Sequence, residues 1–250
     1  MKTRRLTITA AIAAILVLAG TARAERADRS DRADRSASRS GYSYLRATTG
    51  DVTVISKWNG RVEARRNMPI SSGDEIVVSE AGRAEVGLAD GNVLHVGGGT
   101  SASFESLYAQ QGEDDEFSAI RLKDGSVVLS AIGANDSQIP RIDTDDATVY
   151  LSAGSRARVN ADPRRGTIVV ARLGAVEVRT PQGSYKLKPG QYLLVRGEEE
   201  PTIERGTFSR DRFDTWSADR LDSLGTTRSV SARYVDEEYA DDVVALDGYG

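Results

Sequence analysis

The sequence predicts an all-β protein, with duplicated β units forming one sandwich- or roll-like body and a single short C-terminal amphipathic helix. Three observations predict it. Short runs of alternating apolar and polar residues follow one another from Tyr42 to about Val195, each bounded by Gly-containing turn pairs. Glycine is abundant at 24 of 250 residues, as expected of a chain with many turns. No segment before residue 210 shows a convincing helical period.

The strands read in order as "DVTVIS" (51–56), "RAEVGLA" (83–89), "FSAIRLK" (117–123), "ATVYLS" (147–152), "RARVNA" (156–161), "TIVVARL" (167–173) and "AVEVRT" (175–180). Within 73–96 the pattern is strand, turn, strand, turn, strand, carried by Ile76, Val78, Val86, Leu88, Val93 and Val96. Turns are expected at Asn59-Gly60, Asp90-Gly91, Asp124-Gly125, Arg165-Gly166, Gln182-Gly183 and Pro189-Gly190. Two internal similarities point to a duplication. Segment 50–78 resembles 174–195, and 92–106 resembles 148–162.

Phe213, Trp216, Leu221 and Leu224 share one face of a helix over 210–224, with Asp211 or Ser209 as its cap and Gly225 as its stop. The chain divides as follows: 1–24 a signal peptide, 25–41 a disordered Arg/Asp/Ser-rich linker, 42–206 the β domain, 207–226 the amphipathic helical segment, and 227–250 an acidic, Tyr-containing tail.

The leader has Lys2, Arg4 and Arg5 before an apolar run from Leu6 to Leu18, then Ala22-Arg23-Ala24, so cleavage is expected after Ala24. The apolar run is shorter than the roughly 20 residues a membrane span needs. This predicts a periplasmic or secreted protein with no membrane span after cleavage. Losing the leader removes four basic residues and no acidic ones, which takes the formal net charge from −4 to −8. An acidic exported chain of this kind is not expected to bind nucleic acid.

The chemistry-bearing residues are sparse. There is no cysteine, hence no thiolate nucleophile, disulfide or Cys metal site. The single histidine, His95, would have to serve any Ser–His–acid arrangement; inside "NVLHV" it reads as a buried strand residue. "GGGTS" (97–101) lacks the Lys and helix of a phosphate loop and reads as a wide turn or bulge. Carboxylates cluster at 113–116, 143–146 and 198–200 without calcium-loop spacing, and read as solvated loops. No cofactor or metal is predicted, and no catalytic residue is assigned. Trp58, in "SKWNGR", is expected to be exposed. With Phe213 and Trp216 it forms the set of candidate partner contacts.

"GDVTVI…NMPISSGDEIVVSEAGRAEVGLADGNVLHVGGGTSASF" resembles the opening of the FecR domain, and "LKDGSVVLS", "IDTDDATVYLSAGSRARV" and "VVARLGAVEVRT…LKPGQYLLV" resemble its second half. The likeness covers about 45–197. It implies an extracytoplasmic module that, in the best-known members, relays a signal from an outer-membrane transporter to a cytoplasmic segment acting on a sigma factor. Only five residues precede the apolar run here. The chain is therefore similar to a soluble, exported branch without the cytoplasmic anti-sigma segment, in which "FDTWSADR", "SARYVDEEY" and "LDGYG" recur and chains commonly continue beyond this point.

The expected function is that of a non-enzymatic binding and sensing module of the cell envelope, in extracytoplasmic signal transduction, with an envelope protein or polymer as partner. The alternative is an envelope carbohydrate-active or metal-dependent hydrolase. Convergent carboxylates with raised pKa in a cleft would distinguish the latter. An anchored signalling protein that keeps its leader is a third reading.

Overall fold

The computed structural model describes residues 42–108, 117–133, 139–205 and 208–231, with side chains in the helix described as far as Leu224. The leader, the 25–41 linker, the 113–116 cluster and the tail from 232 onward lie outside the described residues. Among the described residues, seventeen strands and one helix follow in order. They are β1 (Ser43–Thr49), β2 (Val52–Ser56), β3 (Gly60–Glu63), β4 (Pro69–Ile70), β5 (Glu75–Val78), β6 (Arg83–Gly87), β7 (Val93–Val96), β8 (Ser101–Ser106) and β9 (Ala119–Ser130). The second half adds β10 (Arg141–Asp143), β11 (Thr148–Leu151), β12 (Arg156–Asp162), β13 (Gly166–Leu173), β14 (Val176–Thr180), β15 (Gly183–Leu187), β16 (Gln191–Val195), β17 (Thr202–Arg205) and α1 (Arg212–Ser231).

The hydrogen-bonded network folds into two layers that share β9. Sheet one runs β4-β1-β6-β7-β9-β12-β13-β16-β17. Sheet two runs β3-β2-β5-β8-β9-β10-β11-β14-β15, and its β9–β10 pair is parallel. Alternation fixes the faces. Val86, Leu94, Leu129 and Ala157 form one inward row across sheet one, opposite inward residues of sheet two such as Ile76, Phe104, Ile120 and Val149. All belong to one contiguous buried cluster, so the two layers close a single core.

The predicted duplication is matched only in the hairpins, because the strands that close the two similar segments, β5 and β16, lie in sheet two and sheet one respectively. β2–β3 and β14–β15, from the two similar segments, both lie in sheet two. Segments 92–106 and 148–162 both cross between layers, the first from sheet one to sheet two and the second in reverse.

Asp124-Gly125, expected as a turn, instead lies inside the 12-residue β9. There the strand leaves sheet two, pairing up to Asp124, and enters sheet one from Gly125 onward. Gly125 has φ of 95°, and a Cβ on it would sit 2.5 Å from Thr100 Cα and 2.8 Å from the Gly99 carbonyl oxygen. A strained backbone and a blocked position at the corner of both sheets predict that Gly125→Ala costs ~1–3 kcal/mol in urea unfolding, with an unchanged m-value.

The helix begins where expected and ends later. Asp211 caps it: Oδ1 accepts from the N–H groups of Phe213 and Asp214, each at 2.9 Å. Gly225 does not stop it, and the helical backbone runs on to Ser231. Glycine ends a helix when it turns left-handed; as an interior residue it costs only about 1 kcal/mol, which neighbouring turns absorb. Among the described residues no helix is long and apolar enough to cross a membrane.

Candidate functional site

The outer face of sheet one is where the polar chemistry collects. Register places Glu85 (β6), His95 (β7), Val128 (β9) and Arg158 (β12) in one row across four adjacent strands, all pointing away from the core. An outward row carrying a carboxylate, an imidazole and a guanidinium suits solvent, yet Glu85 and His95 are 0% exposed. Helix α1 covers them. Phe213 packs over Gly97, and Leu221 and Leu224 cluster with Val93. Gly97 matters here because a Cβ would sit 3.2 Å from the Phe213 ring.

Two polar latches fasten the helix. In the first, Ser217 Oγ lies 2.8 Å from His95 Nδ1, and His95 Nε2 lies 3.1 Å from Glu85 Oε2. A carboxylate only accepts, so Nε2 carries the proton and donates to Glu85, while Ser217 donates to Nδ1. Arg220 grips the same carboxylate with two bonds, Nε to Oε2 at 2.7 Å and Nη2 to Oε1 at 3.2 Å. In the second, Asp214 accepts from Arg158 Nη1 at 2.6 Å and from Arg172 at 2.7 and 3.1 Å. Asp211 also meets Arg158, at 2.8 Å.

Burial would raise the Glu85 carboxyl, but hydrogen bonds from His95 and Arg220 prevail and hold it at about 2. Burial lowers the His95 imidazole, against the opposing pull of Glu85, so the ring is neutral at pH 7.

Ser217, His95 and Glu85 are the three residue types of a hydrolase triad, in contact. Their setting removes the chemistry. Ser217 is 2% exposed and the other two 0%, so no substrate reaches the hydroxyl. Lifting α1 to admit one would carry Ser217 away from His95. The buried-strand reading of His95 therefore holds, and its role is to seat the helix.

The expected carboxylate signature of a hydrolase is likewise not found among the described residues. Glu75, Asp162, Glu177 and Asp211 all shift downward. For Glu75 and Asp211 burial is outweighed, by Lys123 and Ser101 in one case and by helix N–H groups and Arg158 in the other. The N–H of Arg164 lowers Asp162, and Arg179 lowers Glu177. No group of His, Asp and Glu suited to a metal occurs among the described residues.

In the 143–146 cluster, expected as a solvated loop, Asp145 is exposed but Asp143 and Asp146 are structural. Asp143 bonds Thr148 and Arg141, and Asp146 accepts from Thr167 and the Gly197 N–H. These carboxylates are tied to neighbouring strands because β10–β11 turns back beneath β13 and the 196–199 turn. Residues 198–200 are exposed as expected.

Of the three candidate contact residues, Phe213 is buried against the body, and Trp216 is half-buried between Phe213, at 6.1 Å, and the edge of His95, at 5.1 Å. Trp58 alone stands clear, 81% exposed at the tip of the β2–β3 hairpin with Lys57 over its ring. Trp58→Ala is accordingly expected to leave the melting curve within about 0.5 kcal/mol of the parent.

The head of α1 also forms an open groove of about 690 Å³, lined by Arg83, Arg210, Arg212, Thr215, Trp216 and Asp219, together with the capping Asp211. Arg83 lies over the Trp216 ring at 5.6 Å. Sequence reading missed the groove and both latches. Their members are brought together from positions up to 135 residues apart. The only local signal was an uncommonly polar outer face on β6 and β7.

No protein-family model matches the chain, and no curated protein matches it. Two crystal structures of a "putative anti-sigma factor from Parabacteroides distasonis ATCC 8503", at 1.65 and 2.50 Å resolution, are similar to it, each with TM-score 0.46 and 22% identity over 53% of this chain. The chain spans 59% of the length of those structures.

Proposed function

We propose that the chain is an exported, non-enzymatic FecR-like binding and sensing module of the cell envelope, serving extracytoplasmic signal transduction. The observation that carries this reading is the sealed Ser217–His95–Glu85 contact: the residues a hydrolase would use are consumed in holding α1 to sheet one. What reaches the surface is recognition chemistry, namely the Trp58 hairpin tip and the Arg- and Trp-lined groove. The FecR-like motifs lend support by their order. "GDEIVV" ends on β5, "RAEVGLADGNVLHV" forms β6–β7, and "GAVEVRT" and "PGQYLLV" form β14 and β16.

The test is cross-linking in intact cells with the chain expressed under its own leader. The expected result is a mature N-terminus at Glu25 by mass spectrometry and a discrete envelope adduct that weakens in Trp58→Ala. Hydrolysis of envelope glycan by the purified chain, abolished in Glu85→Gln, would replace this reading with the hydrolase.

A further inference from the structure

We propose that the groove at the head of α1 is a docking site for a short, extended acidic segment of a partner protein, gripped by Arg83, Arg210 and Arg212. This rests on the reading of the chain as a recognition module and names the chemistry that its groove takes.

The groove is built from donors. Arg83 opens β6, and Arg210 and Arg212 stand on either side of the helix cap. None of the three has a carboxylate partner among the described residues, whereas Arg158, Arg172 and Arg220 on the same face are all paired. A guanidinium offers five N–H donors and no acceptor. Of the two groove carboxylates, Asp211 is already bonded to helix N–H groups and to Arg158, which leaves Asp219 against three guanidinium groups. Because Asp211 also closes the start of the helix, the donors on offer are the arginine side chains and not the helix end. The ligand must therefore bring acceptors without competing donors, as carboxylates and phosphates do.

Three features select a peptide among such anions. The groove is open and about 690 Å³, within the ~300–1,000 Å³ of ligand clefts. The aromatic ring in its lining, Trp216, is already engaged: Phe213 packs near-parallel to it, with 20° between the planes, His95 meets it edge-on, and Arg83 lies over it at 5.6 Å. Little face is left for a sugar to stack on. A dense polyanion is opposed by the chain's own formal charge of −4. An extended peptide avoids both obstacles. Its alternate residues point one way, so a few carboxylates can meet the guanidinium groups while the residues between them stay neutral.

The experiment titrates the full chain against a short fluorescein-labelled peptide of alternating glutamate and glycine, read by fluorescence anisotropy. The same peptide with glutamine for glutamate is the control. The parent is compared with Arg210→Gln/Arg212→Gln, with Arg83→Gln, and with Arg164→Gln/Arg165→Gln, which removes two charges from the exposed β12–β13 turn. Melting curves check that each variant is folded. The expected result is saturable binding of the glutamate peptide and none of the glutamine peptide. Binding should weaken roughly tenfold in both groove variants and change less than about twofold in the turn variant. No saturable binding by the parent would overturn the proposal. Equal losses in the groove and turn variants would overturn it too, since only bulk charge would then be at work. Displacement of the probe by inorganic phosphate at the same concentration as by unlabelled peptide would overturn the peptide assignment and make the groove a general anion site. The envelope reading fails on the leader and the adduct in cells, and this proposal fails on the titration alone, so the two failures are distinguishable.

Discussion

Asp214→Ala is expected to destabilise the protein by ~3–5 kcal/mol, the range for removing one partner of a buried ion pair. Asp214 is 5% exposed in its side chain, Arg158 8% and Arg172 13%. With Asp214 gone, Arg158 retains the half-exposed Asp211, but Arg172 retains the Phe208 carbonyl oxygen and ring and no carboxylate among the described residues. The destabilisation comes chiefly from the desolvated Arg172 guanidinium, left without a counter-charge among the described residues. Replacing Asp214, Arg158 and Arg172 together by apolar residues of similar size should therefore cost far less than the single change. Thermal unfolding should show a fall of about 10 °C for Asp214→Ala. A loss under about 1 kcal/mol would mean that the helix does not depend on this latch.

The second large effect is acid lability. Glu85 is held at about 2 in the folded protein against an ordinary value near 4.5. A carboxylate with a depressed pKa stabilises the fold above its unfolded value, and that contribution is lost as pH falls from 4.5 towards 2. It amounts to about 3 kcal/mol. His95 acts in the same direction. Its folded pKa lies below 6.5, so the unfolded chain takes up the proton first and stability declines as pH drops below 6.5. The charged groups bearing on this ring are Glu85, Arg220 and Arg156, with Ser217 and Trp216 packed against it. Denaturant unfolding at pH 7, 5 and 3 should show a steep decline for the parent. Glu85→Gln should start less stable at pH 7 and converge on the parent as the pH approaches 2. Parallel curves at all three values would show that Glu85 does not contribute in this way.

How much of this was legible in the sequence follows from the distance over which each signal acts. Strand existence was readable because alternation and Gly-containing turns are local, and β2, β6, the first half of β9 and β11 to β14 lie where the pattern placed them. The Asp211 cap was readable for the same reason, since a cap acts across three residues. Asp124-Gly125 misled because its positive φ serves a change of sheet as well as it would serve a hairpin. The stop at Gly225 failed because a glycine has no obligation to turn left-handed. The site was illegible for a different reason. The burial of His95 could be inferred from "NVLHV", but its partners Ser217 and Glu85 lie 122 and 10 positions away. Only the layering of α1 on sheet one brings them together. A polar residue on an outward strand position looks solvated until the covering element is known.

The central claim is that α1 belongs to the folded body, held by two buried polar latches, and is not a detachable arm. Native-state hydrogen exchange tests it most directly. The amides of residues 216–221 should exchange only with opening free energies close to those of β7, β9 and β12, and Asp214→Ala should lower both together. If the helix amides exchanged several kcal/mol more easily than those strands, with the strands unaffected by Asp214→Ala, the helix would be an independent element and the account would be contradicted.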